Sequence, residues 1–421
     1  MGIHLLQLAG SGTLAERGEY TTDLVYIVTD QMAVRPLLSG QLTWLAQHGW
    51  KVGVICGGED RGPASVGQAQ MHIVKMRRPI SVLSDMAALW RLVRVLRELR
   101  PTIVNAGTTK AGLLGMLASW FAGVPVRVYC LRGLRLETTR GLKRALLTLT
   151  EKLACGCAHR VICVSHSLRQ KTLQLALANA EKLVVLGSGS SAGVDINRFE
   201  KSPEQYRRAV ELRRCLNIPA SAPVVGFIGR LTRDKGVVDL IEAFKTVSIE
   251  LPDARLLLVG PFEEGDPVPA HTRRDIATNP LIHHVVEWVA STTEYLHVMD
   301  LMALPTYREG FPNVALEAAA AEKPMVATRA TGVVDAVVDG VTGLLSPVGD
   351  PRMLSVNIVK LLTQKELAKS MGLAARRRVE VEFSMERFSA GLESFYLNLC
   401  HERGLSCSVK EITLTCSKML D

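Results

Sequence analysis

Several things are missing from this sequence, and each absence narrows it. No Cys-x-x-Cys pair occurs among the nine cysteines, so a zinc ribbon or a thioredoxin-like site has no starting point. Cys155-Gly156-Cys157 has no second ligand pair near it, and the cysteines read as buried or reduced thiols of an intracellular chain. No long hydrophobic run is present. The longest uncharged apolar stretch, Ala111 to Val126, is interrupted by Pro125 and falls short of the ~20 residues that span a bilayer. The N-terminal segment lacks the basic start of a signal peptide, so a cytoplasmic location is expected. No basic stripe interleaved with aromatics occurs, which leaves nucleic-acid binding without a module. Low-complexity tracts and short-period repeats are also missing.

What is there is an ordinary globular balance, with 48% hydrophobic and 22% charged residues over 421 positions. At ~150 residues per domain this predicts two or three domains. The net charge is +9, and it is localised. Between Arg91 and Arg144 stand eleven basic residues against Glu98 and Glu137, so this stretch carries the whole excess. Within it Arg94 and Arg97 lie opposite a row of leucines, and Lys143 and Arg144 stand beside Leu142, Leu146 and Leu149. Two ordinary solvated helix faces fit this pattern, and so does a surface for anionic lipid headgroups.

Short β-branched runs alternate with helix-period segments along the chain. Leu24–Thr29, Val52–Cys56, Thr102–Asn105, Val126–Cys130, Val161–Val164 and Leu183–Leu186 read as strands. Leu37–His48, Met86–Leu99, Ala111–Ala122 and Leu142–Cys155 read as helices. The pattern fades over Asn197–Pro223, which carries three prolines, and then restarts. Val224–Ile228, Leu256–Val259, His284–Trp288, Leu301–Leu304 and Met325–Ala327 read as strands, with helices over Val237–Ser248, Asn313–Ala321 and Leu361–Val379. The fold class is therefore α/β, with two doubly wound parallel sheets and a cleft at the ends of their strands.

Two loops that follow strands carry the chemistry. In Gly229-Arg230-Leu231-Thr232-Arg233-Asp234-Lys235-Gly236, glycines and the cations Arg230 and Lys235 precede a helix. This pattern suits a phosphate or diphosphate, and a solvated basic turn fits it equally well. The second loop runs from Pro305 to Ala318 and holds Glu309, Gly310, Phe311, Pro312, Asn313, Val314 and Glu317. Its free N–H groups and helix start attract an anion, and its two carboxylates, separated by seven residues, can accept hydrogen bonds from sugar hydroxyls. A buried carboxylate such as Glu317 needs a partner.

On these motifs the chain resembles glycosyltransferase family 4, from about residue 21 to residue 400. Lys110-Ala111-Gly112, Gly133-Leu134-Arg135-Leu136-Glu137, Arg78-Pro79-Ile80-Ser81 before Asp85, Gly193-Val194-Asp195 and Asp339-Gly340-Val341-Thr342-Gly343 add to it. The likeness is strongest to bacterial enzymes that build capsular, exopolysaccharide and lipopolysaccharide chains. It implies two facing Rossmann-like domains of the GT-B type. Residues 21–200 form an acceptor-binding domain, 201–382 a nucleotide-sugar-binding domain, 383–400 a helix returning toward the first domain, and 401–421 a tail. It further implies retaining transfer of a hexose or N-acetylhexosamine, most simply from a UDP-sugar, to a polyprenyl-diphosphate-linked or other glycan acceptor. Arg230 and Lys235 would contact the diphosphate and Glu309 the donor sugar. The N–H groups of Gly310, Phe311, Asn313 and Val314 would assist, Glu317 would bind the ribose, and Gly229, Trp288 and Val289 would lie against the nucleotide. No Asp-x-Asp sequence occurs, so neither a metal nor any cofactor is expected.

The chain departs from the family at three places. Arg132 stands where the family usually has a His, and Arg cannot serve as a base. Ala192 replaces an Asn, and Glu287 a Gly. Arg35 and Ser39 are acceptor-side candidates. Arg94, Arg97, Lys143 and Arg144 are candidates for contact with an anionic membrane, which would make the protein peripheral on the inner face of the plasma membrane. Two other activities compete with this reading: a non-catalytic partner subunit of an assembly enzyme, and a UDP-sugar epimerase-like enzyme of the same fold.

Overall fold

The structure, a computed structural model, describes residues 22–58, 65–66, 68–76, 81–287, 289 and 291–405. The first half contains strands β1 (Thr22–Val28), β2 (Val52–Cys56), β3 (Ser65–Val66), β4 (Ala69–Ile73), β5 (Pro101–Gly107), β6 (Val126–Leu131), β7 (Arg160–Cys163) and β8 (Leu183–Val184). They form one sheet in the order β3-β4-β2-β1-β5-β6-β7-β8. Every pairing is parallel except that of β3 with β4. Helices α1 (Val34–Gln47), α2 (Val82–Leu99), α3 (Thr109–Ala122), α4 (Gly141–Cys157) and α5 (His166–Gln174) connect the strands. Central β5 is buried at every position, as a parallel strand covered on both faces must be.

The longest apolar run of the sequence becomes α3 and the turn after it. This helix has nearly no polar side because α2 and α4 flank it and the sheet lies beneath it. Among the described residues no helix is long and apolar enough to cross a membrane.

The second half holds α6 (Pro203–Cys215), β9 (Val224–Ile228), α7 (Val237–Glu250), β10 (Arg255–Val259), α8 (Ala270–Thr278), β11 (Ile282–Val285), α9 (Thr293–Val298) and β12 (Leu301–Leu304). It continues through α10 (Asn313–Ala320), β13 (Met325–Thr328), α11 (Val333–Ala336), β14 (Gly343–Ser346), α12 (Pro351–Thr363), α13 (Lys365–Glu382) and α14 (Met385–His401). The sheet order is β11-β10-β9-β12-β13-β14, all parallel.

Helix α14 leaves the second half and packs on α1. Its Glu393 accepts hydrogen bonds from Trp44 Nε1 at 2.8 Å and Trp50 Nε1 at 2.9 Å, and lies 2.7 Å from His48 Nδ1. Nearby, Asn105 donates to the Tyr396 hydroxyl at 2.6 Å.

Both sheets are doubly wound. The direction of winding reverses between β1 and β5 in the first and between β9 and β12 in the second. Ligands of such sheets bind at these switch points.

Several elements differ from the sequence reading, among them α2, which begins at Val82 rather than Met86. Residues 361–379 do not form one helix. The chain breaks at Gln364 (ψ 75°), so α12 and α13 are separate helices. The third strand of the second sheet is Ile282–Val285 rather than His284–Trp288, because Leu256–Val259 offers partners only to that segment. Strand β8 ends at Val184. Helix α1 begins at Val34, which places Ser39 in its second turn and not at its N-terminus. Strand β4, next to the two-residue edge strand β3, and strand β14 escaped the sequence reading. The first is half-exposed and lacks a clean alternation.

Candidate active site

The two loops singled out in the sequence follow β9 and β12, which are neighbours at the switch point of the second sheet. They are sewn together. Tyr307 N–H donates to the Asp234 carbonyl at 2.8 Å, and the Thr306 hydroxyl donates to the same oxygen at 3.0 Å. Arg308 Nη2 lies 2.7 Å from Asp234 Oδ2. Gly236 has φ +71°, and a Cβ there would lie 1.9 Å from the Pro305 carbonyl oxygen. Only glycine permits this close passage.

The result is that Lys235 and Glu309, 74 residues apart in sequence, form a part-buried ion pair. Arg230 is more exposed and pairs with Glu263. Both expected diphosphate cations therefore stand in the loop after β9, each with a carboxylate beside it. Exchange of those carboxylates for phosphate oxygens is chemically simple, because both are acceptor-only groups for the same donors.

Beyond Glu309 the chain enters α10. Gly310 and Phe311 are buried, and the Phe311 ring packs 5.3 Å from Phe383, so the side chain belongs to the core and only its backbone faces the loop. Asn313 Oδ1 is buried with no hydrogen-bond partner. Val314 is half-buried. Glu317, one turn into the helix, accepts from the Thr292 hydroxyl at 2.7 Å, and burial raises its pKa while that bond and Arg198 oppose the rise. Val289 is half-buried, and Trp288 lies outside the described residues, as does Arg78-Pro79-Ile80. Gly229 follows β9 and donates its N–H to the Val259 carbonyl at 2.9 Å.

The first sheet closes over these loops. A Cβ on Gly310 would lie 2.2 Å from the Arg132 carbonyl oxygen, so the two halves touch backbone to backbone. Ser165 Oγ donates to the Gly310 carbonyl at 2.7 Å. The Thr331 hydroxyl donates to Glu137 at 2.7 Å, and burial raises the pKa of this carboxyl. Asp335 accepts from the first N–H groups of α5, His166 at 3.0 Å and Ser167 at 3.2 Å, the place where a helix dipole favours an anion.

Arg132 lies at this seam, and its guanidinium is bonded within the first half. Its Nη1 reaches the Ser191 carbonyl at 3.4 Å, over Gly107, where a Cβ would come within 2.9 Å of Nε. Arg35 and Ser39 are both exposed on α1. Arg94 and Arg97 are exposed on α2, Lys143 and Arg144 on α4, remote in sequence from the donor loops.

Glu263, Thr292, Arg308 and Asp335 were not singled out in the sequence. Glu263 and Thr292 stand in the loops after β10 and β11, so reading every loop that follows a strand finds them. Asp335 gives no local signal.

Two Rossmann-like domains that meet across such a cleft make up the GT-B architecture. Residues 222–364 match the family described as glycosyl transferases group 1, and residues 34–189 match the glycosyl transferase 4-like domain; the chain belongs to this family. The capsular polysaccharide biosynthesis glycosyltransferase CapM of Staphylococcus aureus is 33% identical over 377 residues, 89% of this chain and 96% of that one. The UDP-Gal:alpha-D-GlcNAc-diphosphoundecaprenol alpha-1,3-galactosyltransferase of Escherichia coli is 23% identical over 86% of this chain and 95% of its own. Among solved structures, Anabaena HepE in complex with UDP and glucose superposes with a TM-score of 0.74 at 19% identity, over 90% of this chain and all of that one.

Proposed function

We propose that this chain transfers a hexose or N-acetylhexosamine from a UDP-sugar to a polyprenyl-diphosphate-linked saccharide in the assembly of a cell-surface polysaccharide. The relative from S. aureus supports the pathway class. The E. coli relative, named for a UDP-sugar and a lipid diphosphate, supports both substrates. The observation that carries the reading is the joining of Lys235 to Glu309 beside Arg230 at the switch point of the second sheet.

In this reading the anomeric carbon loses its bond to the diphosphate while the acceptor oxygen bonds on the same face, with retention. The departing diphosphate takes up the proton of the acceptor hydroxyl. Arg230, Lys235 and the N–H groups of Gly310, Phe311, Asn313 and Val314 stabilise the charge that grows on the diphosphate, so no metal or other cofactor is needed. Glu309 holds the sugar, Glu317 the ribose, and Gly229 and Val289 border the nucleotide. Residues 21–200 bind the acceptor, with Arg35 and Ser39 at its entrance. Arg132 acts through its backbone against Gly310 and as a fixed cation. Arg94, Arg97, Lys143 and Arg144 touch the anionic inner face of the membrane.

A thermal-shift panel of UDP-, GDP- and TDP-sugars tests the donor. A ligand at 100 times its Kd contributes about 2.7 kcal/mol, so the UDP-sugar is expected to raise Tm by several degrees and the others less. No shift with any of them, together with unchanged pathway product from Glu309→Gln, identifies a non-catalytic subunit instead. Release of free epimerised nucleotide-sugar without consumption of acceptor identifies an epimerase.

A further inference from the structure

The loop after β6 meets the second half at two places. It first passes Arg132 and Gly133, whose backbone lies against Gly310. It then makes a single 3-10 turn at Arg135–Glu137. Leu134 and Leu136 on either side of Arg135 are fully buried, and the Glu137 N–H donates to the Leu134 carbonyl at 3.1 Å. Two apolar anchors and a closed turn give the Glu137 side chain a fixed base.

Across the cleft that carboxylate meets the segment on which Glu309 rests. The Thr331 hydroxyl donates to Glu137 Oε2 at 2.7 Å. The carbonyl of the same Thr331 accepts the N–H of Glu309 at 3.1 Å. One residue on, Gly332 has φ +77°, and a Cβ there would lie 2.3 Å from the Gly310 carbonyl oxygen and 3.0 Å from that of Glu309. Glu309 and Gly310 are therefore enclosed between two backbones, Arg132–Gly133 from the first half and Thr331–Gly332 from the second. Glu137 ties one of these backbones to the other and completes a ring of contacts around Glu309.

A side chain that only filled this space would be apolar, because a buried acceptor without a donor is costly. Glu137 bears that cost at Oε1, which is buried with no hydrogen-bond partner. Lys171 and Arg308 face the carboxylate and favour its charged form against burial. Arg308, directly before Glu309 in the chain, is itself held by Asp234 at 2.7 Å and by the Thr138 hydroxyl at 3.0 Å.

We infer that Glu137 is a positioning residue of the transfer reaction, which fixes Thr331 and, through it, the backbone of Glu309 when the two halves are closed. This rests on the assignment of Glu309 to the donor sugar proposed above, and it makes the placement of that carboxylate depend on the first half. Glu137 itself touches no substrate. Donor binding and donor use then separate. Arg230, Lys235 and Glu317 all belong to the second half, so a nucleotide-sugar binds there whether or not Glu137 is in place. Without Glu137 the setting of Glu309 is lost, and a small misplacement of a reacting group costs up to about 100-fold in rate.

The test compares Glu137→Ala, Glu137→Gln, Thr331→Val and the double variant Glu137→Ala/Thr331→Val in the full chain. One readout is the kinetics of transfer from a UDP-sugar to a polyprenyl-diphosphate saccharide. The other is amide hydrogen exchange over the peptide that contains Glu309, without substrate. Glu137→Ala is expected to lower kcat about tenfold or more, with the donor KM within about twofold of wild type, and to speed exchange at Glu309. Glu137→Gln keeps an acceptor oxygen for the Thr331 hydroxyl and is expected to restore most of kcat and the slow exchange. Thr331→Val is expected to match Glu137→Ala. The double variant is expected to lose no more than either, because both changes remove the same bond.

Wild-type kcat and wild-type exchange in Glu137→Ala overturn the inference, and so does an additive loss in the double variant. Wild type that transfers no sugar sinks the transfer reading. The exchange comparison needs no substrate, so faster exchange in Glu137→Ala then still supports the relay and unchanged exchange overturns it.

Discussion

Glu151 is the residue whose surroundings depart furthest from its chemistry. It lies on the buried face of α4, with the Tyr129 hydroxyl donating to it at 2.7 Å. Burial pushes its pKa from 4.5 up to about 7. A raised carboxyl pKa means that the folded state favours the neutral form. Its stabilising contribution is therefore complete below the unfolded value and is lost as pH rises through about 7. Glu151→Gln keeps an acceptor for Tyr129 and removes the charge. Thermal unfolding at two pH values should show a larger gain in Tm at pH 8 than at pH 5, by roughly 2–4 °C for each ~1 kcal/mol. An equal or reversed gain contradicts the assignment. At the candidate site, Glu317→Ala is expected to raise the KM for the donor about tenfold with a smaller change in kcat, the signature of lost ground-state binding. A kcat loss without a KM change would instead place Glu317 in the chemistry. Glu309, Lys235, Arg230 and Glu317 were legible in the sequence because each stands in a loop or helix start after a strand. The pairing of Arg230 with Glu263 and of Glu317 with Thr292 was not, since partners 33 and 25 residues away leave no mark on local periodicity.

At the scale of elements, one carboxylate of α14 adds to the apolar contacts and the Asn105–Tyr396 bond that hold this helix to the first half. Glu393 serves the indole N–H groups of Trp44 and Trp50, and a buried donor left without a partner costs about 1–3 kcal/mol. Glu393→Ala is thus expected to lower Tm by about 4 °C or more, and Glu393→Gln by less because an amide oxygen remains. An unchanged Tm in the alanine variant would mean that α14 is held by its apolar face and the Asn105–Tyr396 bond alone. The return of this helix toward the first half was legible only through the family resemblance. Nothing in the local pattern of Met385–His401 says which surface it will cover. Strands with continuous β-branched cores, such as Val52–Cys56 and Val224–Ile228, were read at their observed limits because burial on both faces leaves a contiguous apolar run. The third strand of the second sheet was misplaced because its polar histidines blur that run, and the limits there come from pairing with β10.

At the scale of the molecule, the account depends on closure. The halves meet through Gly310 and Arg132, Ser165 and Gly310, Glu137 and Thr331, and Asp335 and the start of α5. No stretch of sequence announces these contacts, which join segments as far apart as 145 and 194 residues. Gly310→Ala would place a methyl 2.2 Å from the Arg132 carbonyl and leave both cores intact. Small-angle scattering should show a larger radius of gyration with an unchanged circular dichroism spectrum. Transfer should fall by roughly 100-fold, since small misplacements at a reacting centre cost that much. A variant as compact and as active as wild type would remove closure from the account. The central claim, however, is transfer with retention, in which Glu309 and the Lys235 and Arg230 cations act on a nucleotide-sugar. Its most direct test is to incubate the chain with an α-linked UDP-sugar and a polyprenyl-diphosphate saccharide and to read the anomeric configuration of the new linkage by NMR, beside the Glu309→Gln variant. The account predicts an α-linked product whose rate falls at least ~100-fold in that variant; a β-linked product, or equal transfer by the variant, would contradict it.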